Sequence, residues 1–260
     1  MKIPFTKAHG ARNDFLLTWA HEAPQTLLNK AAMAICDRHS GIGADGWLLV
    51  RPSQGTEPPS IRLFNADGSE AEISGNGTRC AAAFLLDSGL ATQDITIRTG
   101  AGPKQLHLIE RHGLRFLFEM NMGSPTIESL DGGPRGGTIV DVGNPQCAVF
   151  VENFNFDWQS AGAEIEGDPR FPKRTNVSFV KVLDKHTIDV RFFERGAGVT
   201  QSSGTGSTGA VVAAISRGLA ESPVIVKTLA GPLRFRWDAD EVFMVGPAEI
   251  VAGGEFYFEP

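Results

Sequence analysis

The amino-acid sequence predicts an α+β fold made of two pseudo-symmetric, duplicated domains. The chain matches itself at an offset of 129 residues, close to half of its 260 residues. Each copy has many short strand-like runs and one dominant helix. Glycine makes up 30 residues, well above its usual share of about 7%, and clusters at equivalent points of the two copies. We therefore expect each domain to be a curved, mostly antiparallel sheet around a central helix.

The internal repeat is clearest between residues 62–103 and 191–232, which share 13 identities in 42 positions without a gap. Ser74 falls on Ser203, and the turn at 89–91 falls on 218–220. A period this long indicates two homologous domains rather than a solenoid. We place the halves at 1–117 and 118–260, with a last strand that can return to the first half. Since no low-complexity linker separates them, we expect the halves to be closely joined.

The elements follow the same order in each copy. A strand leads through a polar loop to Ser-Gly-x-Gly, which opens a helix rich in small residues; Gly89 and Gly218 fit the helix C-cap, and a β-branched strand follows. The predicted strands of the repeat are 61–64 and 95–99 in the first copy and 188–193 and 224–228 in the second, and its helices include 80–86 and 210–215. Further strands are predicted at 15–19, 47–50, 114–120, 148–151, 177–182 and 241–245, and further helices at 27–36 and around 158–165.

Composition narrows the function. An apolar share of 42% supports a substantial core, and a net charge of -6 argues against nucleic acid or an anionic membrane as the main partner. No apolar run approaches the roughly 20 residues of a membrane span, and the first ten residues lack the apolar core of a secretory signal. Three cysteines suit a reducing cytoplasm rather than a disulfide framework. The six histidines show no metal-ligand spacing, so we expect no metal site.

Two Ser-Gly-x-Gly helix starts carry the chemistry. Taken alone, a serine at such a helix start is simply an N-cap. In a pseudo-symmetric pair of domains, however, equivalent helix starts are expected to face each other across the interdomain cleft. Their free N–H groups suit a carboxylate, and Ser74 and Ser203 would flank it on opposite sides. That geometry can move a proton from one face of an α-carbon to the other.

Two glycine motifs match the dinucleotide fingerprint G-x-G-x-x-G in letters only. At residues 41–46 a helical segment precedes and a strand follows, which reverses the required order. At residues 204–209 the motif opens a helix but lacks an acidic partner for a ribose. Anion binding fits the second motif, and a dinucleotide fits neither.

Longer motifs make a family resemblance plain over nearly the whole chain. The sequence resembles the diaminopimelate epimerase family, whose members interconvert LL- and meso-diaminopimelate in lysine and cell-wall synthesis without a cofactor. The resemblance implies two pseudo-symmetric halves with the active site between them, no pyridoxal phosphate or metal, and a homodimer. The motifs are FTKAHG at 5–10, NDF at 13–15, GIGAD at 41–45, FNADGSEAE at 64–72, GNGTRC at 75–80, GNP at 143–145, TNV at 175–177, ERGAG at 194–198 and GTG at 204–206.

The same resemblance assigns the candidate site residue by residue. Ser74 and Ser203 take the catalytic positions, and the helix-start amides that hold the reacting carboxylate are those of Gly75-Asn76 and Gly204-Thr205. Ligands of the substrate's other polar groups are implied at Asn13, Asn65, Asn144, Asn176, Glu194 and Arg195, the last two towards its distal ammonium and carboxylate. Taken alone, each asparagine equally fits a turn or a cap.

Three departures from the family pattern bear on the chemistry. The resemblance implies cysteines where this chain has Ser74 and Ser203, and a histidine where it has Gln146; Val199-Thr200 replaces Glu-Thr. A serine hydroxyl is a much weaker acid than a thiol and needs an adjacent base. A helix dipole contributes about 2 kcal/mol at best, little more than one pKa unit. The carboxylates near the motifs are Asp67, Glu70, Glu72 and Glu194, and spacing places none of them beside a serine.

Four hypotheses follow. The favoured one is an epimerase that uses the two serines on an amino acid with a carboxylate. Alternatively, serines were introduced in place of cysteines to trap a ligand. A third possibility is a related dehydration or double-bond isomerisation, which removes a proton on one face only. The fourth is a catalytically silent amino-acid-binding protein.

Overall fold

The computed structural model describes residues 1–259 and confirms the α+β fold. It contains a short 3-10 turn at Pro134–Gly136. The helices are α1 (Leu28–Cys36), α2 (Gly75–Asp87), α3 (Trp158–Glu166) and α4 (Gly204–Ser216). The strands are β1 (Lys2–Gly10), β2 (Asn13–Trp19), β3 (Gly46–Arg51), β4 (Ser60–Asn65), β5 (Glu70–Ala71), β6 (Asp94–Thr99), β7 (Gly102–His112), β8 (Arg115–Gly123), β9 (Thr126–Ser129), β10 (Thr138–Asp141), β11 (Pro145–Phe150), β12 (Asn176–Asp184), β13 (Thr187–Glu194), β14 (Gly198–Thr200), β15 (Val224–Thr228), β16 (Gly231–Asp238) and β17 (Glu241–Tyr257).

The chain forms two compact units. The first contains Met1–Met120 together with the residues from Gly246 onward, and the second contains Asn121–Val245. The long strand β17 therefore contributes its first residues to the second unit and the remainder to the first.

The duplication is visible in the elements themselves. The helices α2 and α4 each have 13 residues and begin and end 129 positions apart. Each is followed by a strand and a hairpin at the same offset, β6 with β7 and β15 with β16. Gly89 and Gly218 both have a φ of 69°, the left-handed conformation that ends a helix without steric cost for glycine. Each predicted glycine thus ends its helix, one residue after the C-cap residues Ser88 and Arg217.

In the first unit a mixed sheet surrounds α2. Strand β1 pairs antiparallel with β2 and β17, and β3 pairs antiparallel with β4; β2 runs parallel to β3, and β4 parallel to β6. The meander β6–β7–β8 completes it. Helix α2 packs against β1 to β4 and β6, while α1 packs against β3 and β4. Trp47 and Phe64 are fully buried in the core cluster that α1 covers, where the antiparallel register of β3 and β4 sets them opposite each other.

The second unit repeats this plan around α4. Strands β9, β10 and β11 form a meander, β11 runs parallel to β12, β12 pairs antiparallel with β13, and β13 runs parallel to β15. The pairs β15–β16 and β16–β17 are antiparallel. Helix α3 covers β12 and β13 through Trp158 and Phe179, whose ring centroids are 6.3 Å apart. Helix α4 is buried along most of its length and forms the centre of the unit.

Cysteine chemistry plays no part in this core. Cys36, Cys80 and Cys147 are buried free thiols, and burial raises the pKa of each to about 12. They are therefore neutral packing residues at physiological pH. Among residues 1–259, every helix is too short or too polar to cross a bilayer.

Candidate active site

Both Ser-Gly-x-Gly motifs fold as helix N-caps. The Oγ of Ser74 accepts a hydrogen bond from the backbone N of Gly77 at 3.1 Å, and the Oγ of Ser203 accepts one from that of Gly206 at 3.0 Å. The glycine at the fourth position of each motif lies so close to the capping serine that a side chain is unfavourable. A Cβ on Gly206 would lie 2.9 Å from Ser203 Oγ, and one on Gly77 would lie 3.2 Å from Ser74 Cβ. The repeated glycine is thus explained by close packing against the capping serine.

The environment of Ser203 adds a carboxylate. Ser203 is 3% exposed, and its Oγ donates a hydrogen bond to Glu194 Oε1 at 2.6 Å. Glu194 ends β13 and pairs with Gly198 of β14, and this hairpin brings the chain back to the helix start. Hydrogen bonds from a hydroxyl to a carboxylate are short and strong. Glu194 is therefore positioned to accept the hydroxyl proton of Ser203.

Ser74 lies in a different setting. It is half-buried, and among residues 1–259 no carboxylate accepts a hydrogen bond from its hydroxyl. The residue equivalent to Glu194 at the 129-residue offset is Asn65, which ends β4. Its Nδ2 donates to Ser69 Oγ at 3.0 Å, and its backbone N donates to Ser69 O at 2.8 Å. Asn65 is thus a turn residue.

The first unit holds its remaining asparagines in a directed chain of hydrogen bonds. Arg79 Nη2 donates to Asn76 Oδ1, Asn76 Nδ2 donates to Asn13 Oδ1 at 3.1 Å, and Asn13 Nδ2 donates to Asp45 Oδ2 at 2.7 Å. This order fixes the orientation of both amides. Each NH₂ group keeps one N–H for another acceptor. Asn13 and Asn76 together therefore present donors, which suit a carboxylate.

The buried guanidinium of Arg79 anchors this chain. It is fully buried and also donates to the backbone oxygens of Gly75 at 3.2 Å and Pro247 at 3.0 Å. Burial lowers the pKa of Arg79 to about 10, so the group stays positive at neutral pH. A positive charge beneath the first turn of α2 adds to the helix dipole there. Arg79 stands within the GNGTRC motif, which is the signal that could have found it.

A charged cluster supports the other end of this chain of hydrogen bonds, at Asp45. Asp14 binds Arg38 at 2.7 Å and Lys7 at 3.1 Å, and Arg38 also binds Asp45 at 2.8 Å. Burial disfavours the charged form of Asp14, but the hydrogen bonds from Arg38 and Lys7 outweigh it, so the pKa of Asp14 lies below its ordinary value. Asp14 lies in the NDF motif and Asp45 in the GIGAD motif, and these motifs are the signal that could have found both aspartates.

The second unit builds its amide group without a charged cluster of this kind. Asn144 Oδ1 accepts from Gln146 Nε2 at 2.8 Å. Asn176 Nδ2 donates to Pro145 O at 2.9 Å, while its Oδ1 accepts from the backbone N of Arg195 at 3.0 Å. The parallel register of β11 and β12 sets Gln146 beside Asn176. These contacts connect the predicted residues of this unit to one another, up to the Glu194–Ser203 pair.

Gln146 lies beneath α4, and one of its polar atoms has no hydrogen-bond partner among residues 1–259. It is 1% exposed, and a Cβ on Gly209 would lie 2.9 Å from its Cβ. The atom left without a partner among the described residues is its Oε1. A buried acceptor in this position is available to a ligand donor or to water. Residues 1–259 contain no group of three or more His, Cys, Asp or Glu side chains that could hold a metal ion.

Comparison with known proteins agrees with the motifs. The family model described as diaminopimelate epimerase matches residues 5–128 and 138–251. The chain is 38% identical to the diaminopimelate epimerase of Halothermothrix orenii, covering 100% of this chain and 99% of that protein. It is 40% identical to that of Pelotomaculum thermopropionicum, covering 97% and 98%. The chain belongs to the diaminopimelate epimerase family.

Solved structures show the same fold at low sequence identity. A hydroxyproline epimerase from Agrobacterium vitis, with bound trans-4-hydroxy-L-proline, superposes with a TM-score of 0.75 at 14% identity, covering 98% of this chain and 92% of that one. A phenazine biosynthesis protein of the PhzF family from Bacillus anthracis gives 0.74 at 14% identity, covering 99% and 100%. As a member of the diaminopimelate epimerase family, the protein is an isomerase of the epimerase type. Each of the two repeated helix starts presents a serine hydroxyl, and the hydroxyl of Ser203 is bound to a carboxylate.

Proposed function

We propose that the protein interconverts LL- and meso-diaminopimelate, by removing the α-proton on one face of the carbon and returning a proton on the other. The hydrogen bond between Ser203 Oγ and Glu194 Oε1, 2.6 Å long, is the observation that carries the proposal. A serine hydroxyl is too weak an acid to lose its proton at neutral pH, so a serine alone cannot act as a base. A carboxylate that takes its proton removes this obstacle.

On the Ser203 side, two coupled proton transfers form a relay. The Ser203 oxygen takes the α-proton while its own proton passes to Glu194. This leaves a neutral serine, a protonated Glu194 and a carbanion whose charge spreads into the substrate carboxylate. From the family resemblance Glu194 is expected to contact the distal ammonium; its hydrogen bond to Ser203 leads us to assign it to the hydroxyl instead. The reverse sequence returns a proton on the same face.

Ser74 supplies the second proton. Its hydroxyl donates to the carbanion, which is a far stronger base than an alkoxide, so no carboxylate is needed to drive this direction. Because Ser74 and Glu194 are half-buried rather than enclosed, water can restore the proton of Ser74 and accept the proton held by Glu194, which resets the site; the opposite direction of the interconversion follows the same steps in reverse. The two serines act on one α-carbon, and the asymmetry of their surroundings makes Ser203 the better base and Ser74 the better acid.

The reacting carboxylate is held by the helix starts. Free backbone N–H groups at Gly75-Asn76 and Gly204-Thr205, with the positive ends of the helix dipoles, stabilise the negative charge that develops on this group. The amides of Asn13, Asn65, Asn144 and Asn176, together with Arg195, bind its other polar groups. We further propose that the enzyme works in the cytoplasm without pyridoxal phosphate or another cofactor, as a homodimer.

The test measures α-proton exchange. Purified protein is incubated with LL-diaminopimelate in D₂O, and deuterium at the α-carbon and the appearance of the meso form are followed by NMR and chiral chromatography. We expect both signals. The variant Glu194→Gln keeps the size of the side chain and removes the acceptor charge, so exchange should fall about 10²- to 10⁴-fold.

The matched control is Glu164→Gln, which removes an exposed carboxylate of α3 in the same unit. It should leave the exchange rate within about twofold of the unchanged protein. Binding of the substrate without any exchange at high enzyme concentration would contradict the proposal and favour a silent amino-acid-binding protein. Equal activity of the Glu194→Gln and Glu164→Gln variants would instead overturn the relay alone.

A one-face reaction is the second candidate, and the lack of a carboxylate at Ser74 favours it. A dehydration or double-bond isomerisation removes the α-proton only on the Ser203 side. Deuterium incorporation without inversion, together with turnover of hydroxyprolines or unsaturated acids, would support this alternative. Inversion of LL-diaminopimelate would exclude it as the main activity.

A further inference from the structure

Three arginines share one face of the sheet in the first unit. Arg51 of β3 is paired with Ser60 of β4, and Ser60 is in turn paired with Arg98 of β6. Arg62 of β4 lies two residues beyond Ser60, on the same side of the strand. Since neighbouring strands are about 4.8 Å apart, the three guanidinium groups start from backbone positions within one small area.

This area is concave. A cavity of about 360 Å³ is lined by the three arginines and by an apolar wall that includes Ala20, Pro24, Leu28 and Leu49. The volume lies at the lower end of the range typical of small-molecule sites. Neither Ser74 nor any asparagine of the candidate active site lines it.

The charges in this cavity do not balance. Arg62 binds Glu70 through two hydrogen bonds of 2.9 Å, and Arg98 binds Glu57 at 3.3 Å. Arg51 is exposed and has no carboxylate partner among residues 1–259. Three positive groups therefore face two negative ones, in a chain whose net charge is -6. Like charges on adjacent strands repel each other, so an anion bound among them would be stabilised.

We propose that this cavity is a binding site for a small phosphate monoester with a compact apolar body. A guanidinium offers a planar fork of N–H donors that matches two phosphate oxygens, and Arg51 has its fork free. The apolar wall contacts the body of the ligand, while Arg62 and Arg98 add long-range attraction. The two carboxylates near the arginines limit the excess charge, so binding is expected to be moderate and to weaken with salt.

The probe is phenyl phosphate, titrated into ¹⁵N-labelled protein and followed by NMR. We expect saturable shifts at the backbone amides of the cavity walls, with a dissociation constant that rises at least threefold between low and high salt. Inorganic phosphate should bind at least fivefold more weakly because it leaves the apolar wall uncovered. Benzyl alcohol, which has the body without the charge, should produce no saturable shifts at these amides.

The deciding variant is Arg51→Gln, with Arg234→Gln as its matched control. Both arginines are exposed strand residues, and each substitution removes one positive charge. We expect the affinity for phenyl phosphate to fall at least tenfold in Arg51→Gln and to change less than twofold in Arg234→Gln, with the melting temperatures of both unchanged.

Three results would overturn the site: no saturable shifts at millimolar phenyl phosphate, equal affinities of the two variants, or equal binding of benzyl alcohol. The measurement needs no turnover, so its outcome is independent of the proposed epimerase activity.

Discussion

Ser74 caps the start of α2 with φ -131° and ψ 122°, and Ser203 caps the start of α4 with φ -137° and ψ 124°. Each accepts a hydrogen bond from the glycine three residues later. The side chains delivered by the neighbouring strand differ, because β13 ends in Glu194, which binds Ser203, while β4 ends in Asn65, which closes a turn. Local capping chemistry has thus kept the two backbones alike since the duplication, while the side chains beside the two serines have diverged.

The surroundings differ in a second respect. Position 79 in the first copy is a fully buried arginine, and the equivalent position 208 is a threonine whose Oγ1 donates to Gly204 O within α4. The α2 start is therefore supported by charge, and the α4 start by neutral amides and a single carboxylate. The comparison teaches that two copies of one backbone motif can keep the same helix start while their electrostatic surroundings differ.

The largest expected effect separates the two serines. Ser203→Ala should lower α-proton exchange of LL-diaminopimelate by at least 10²-fold, because the relay to Glu194 is lost. Ser74→Ala should slow inversion to a similar degree and leave exchange with retention measurable, since the base remains. Deuterium content and stereochemistry of the recovered substrate, measured in the same samples, distinguish the two outcomes.

Substrate affinity measured by calorimetry is the control for both serine variants, and it should change less than threefold. If Ser74→Ala and Ser203→Ala lose exchange and inversion in the same proportion, the division between an acid half and a base half is wrong.

The next effect concerns stability. Arg79→Ala should lower the free energy of unfolding by about 3–5 kcal/mol, since it leaves buried acceptors on Gly75, Asn76 and Pro247 without their donor. Thr208→Ala, at the equivalent position, should cost only about 1 kcal/mol because a single hydrogen bond within the helix is lost. Urea denaturation at pH 7 measures both.

Arg79→Lys sharpens this comparison. A lysine keeps the charge and loses the planar fork, so it should recover less than half of the loss. Equal costs for Arg79→Ala and Thr208→Ala would show that the charged support of α2 contributes nothing beyond ordinary packing.

Much of this organisation could be predicted from the sequence. The 129-residue repeat predicts both the duplication and the matching helices, since each begins at Ser-Gly-x-Gly and ends before a glycine. Strand ends were less predictable; the predicted strand at 114–120 is observed as Arg115–Gly123. Such boundaries depend on pairing with distant strands, which local composition does not record.

The candidate site shows the same limit. Aligning the two copies already places Glu194 opposite Asn65, but only the β13–β14 hairpin reveals that the carboxylate reaches Ser203. Arg79 was missed because a charged residue in a helix is ordinarily exposed. Its burial follows from the approach of β17, where a Cβ on Gly246 would lie 2.8 Å from the guanidinium carbon.

A smaller effect is expected at Gly77 and Gly206, the two glycines that donate hydrogen bonds to the capping serines. Gly206→Ala places a Cβ 2.9 Å from both Phe192 Cδ1 and Ser203 Oγ, and should cost about 1–3 kcal/mol. Gly77→Ala meets its nearest neighbour, Ser74 Cβ, at 3.2 Å, and the higher helix propensity of alanine offsets part of that strain. Thermal denaturation should therefore show a clear loss for Gly206→Ala and little change for Gly77→Ala; the reverse order would mean that the α4 start is the more adaptable one.

The smallest effect depends on pH and is confined to the charged cluster around Asp14 in the first unit. Folding lowers the pKa of Asp14, because Arg38 and Lys7 outweigh its burial, so its contribution to stability is complete above the unfolded value near 3.9 and is lost as the pH falls towards the folded pKa. Asp14→Asn should cost about 1–2 kcal/mol at pH 7, and the gap to the unchanged protein should narrow steadily below about pH 4. Gln146→Ala, in the neutral amide group of the other half, removes no charge, so its cost should be the same at pH 7 and pH 3.5. Urea denaturation at both pH values measures this difference. If the stability gap for Asp14→Asn stays constant, Arg38 and Lys7 stabilise the carboxylate in the folded protein no better than water does in the unfolded chain.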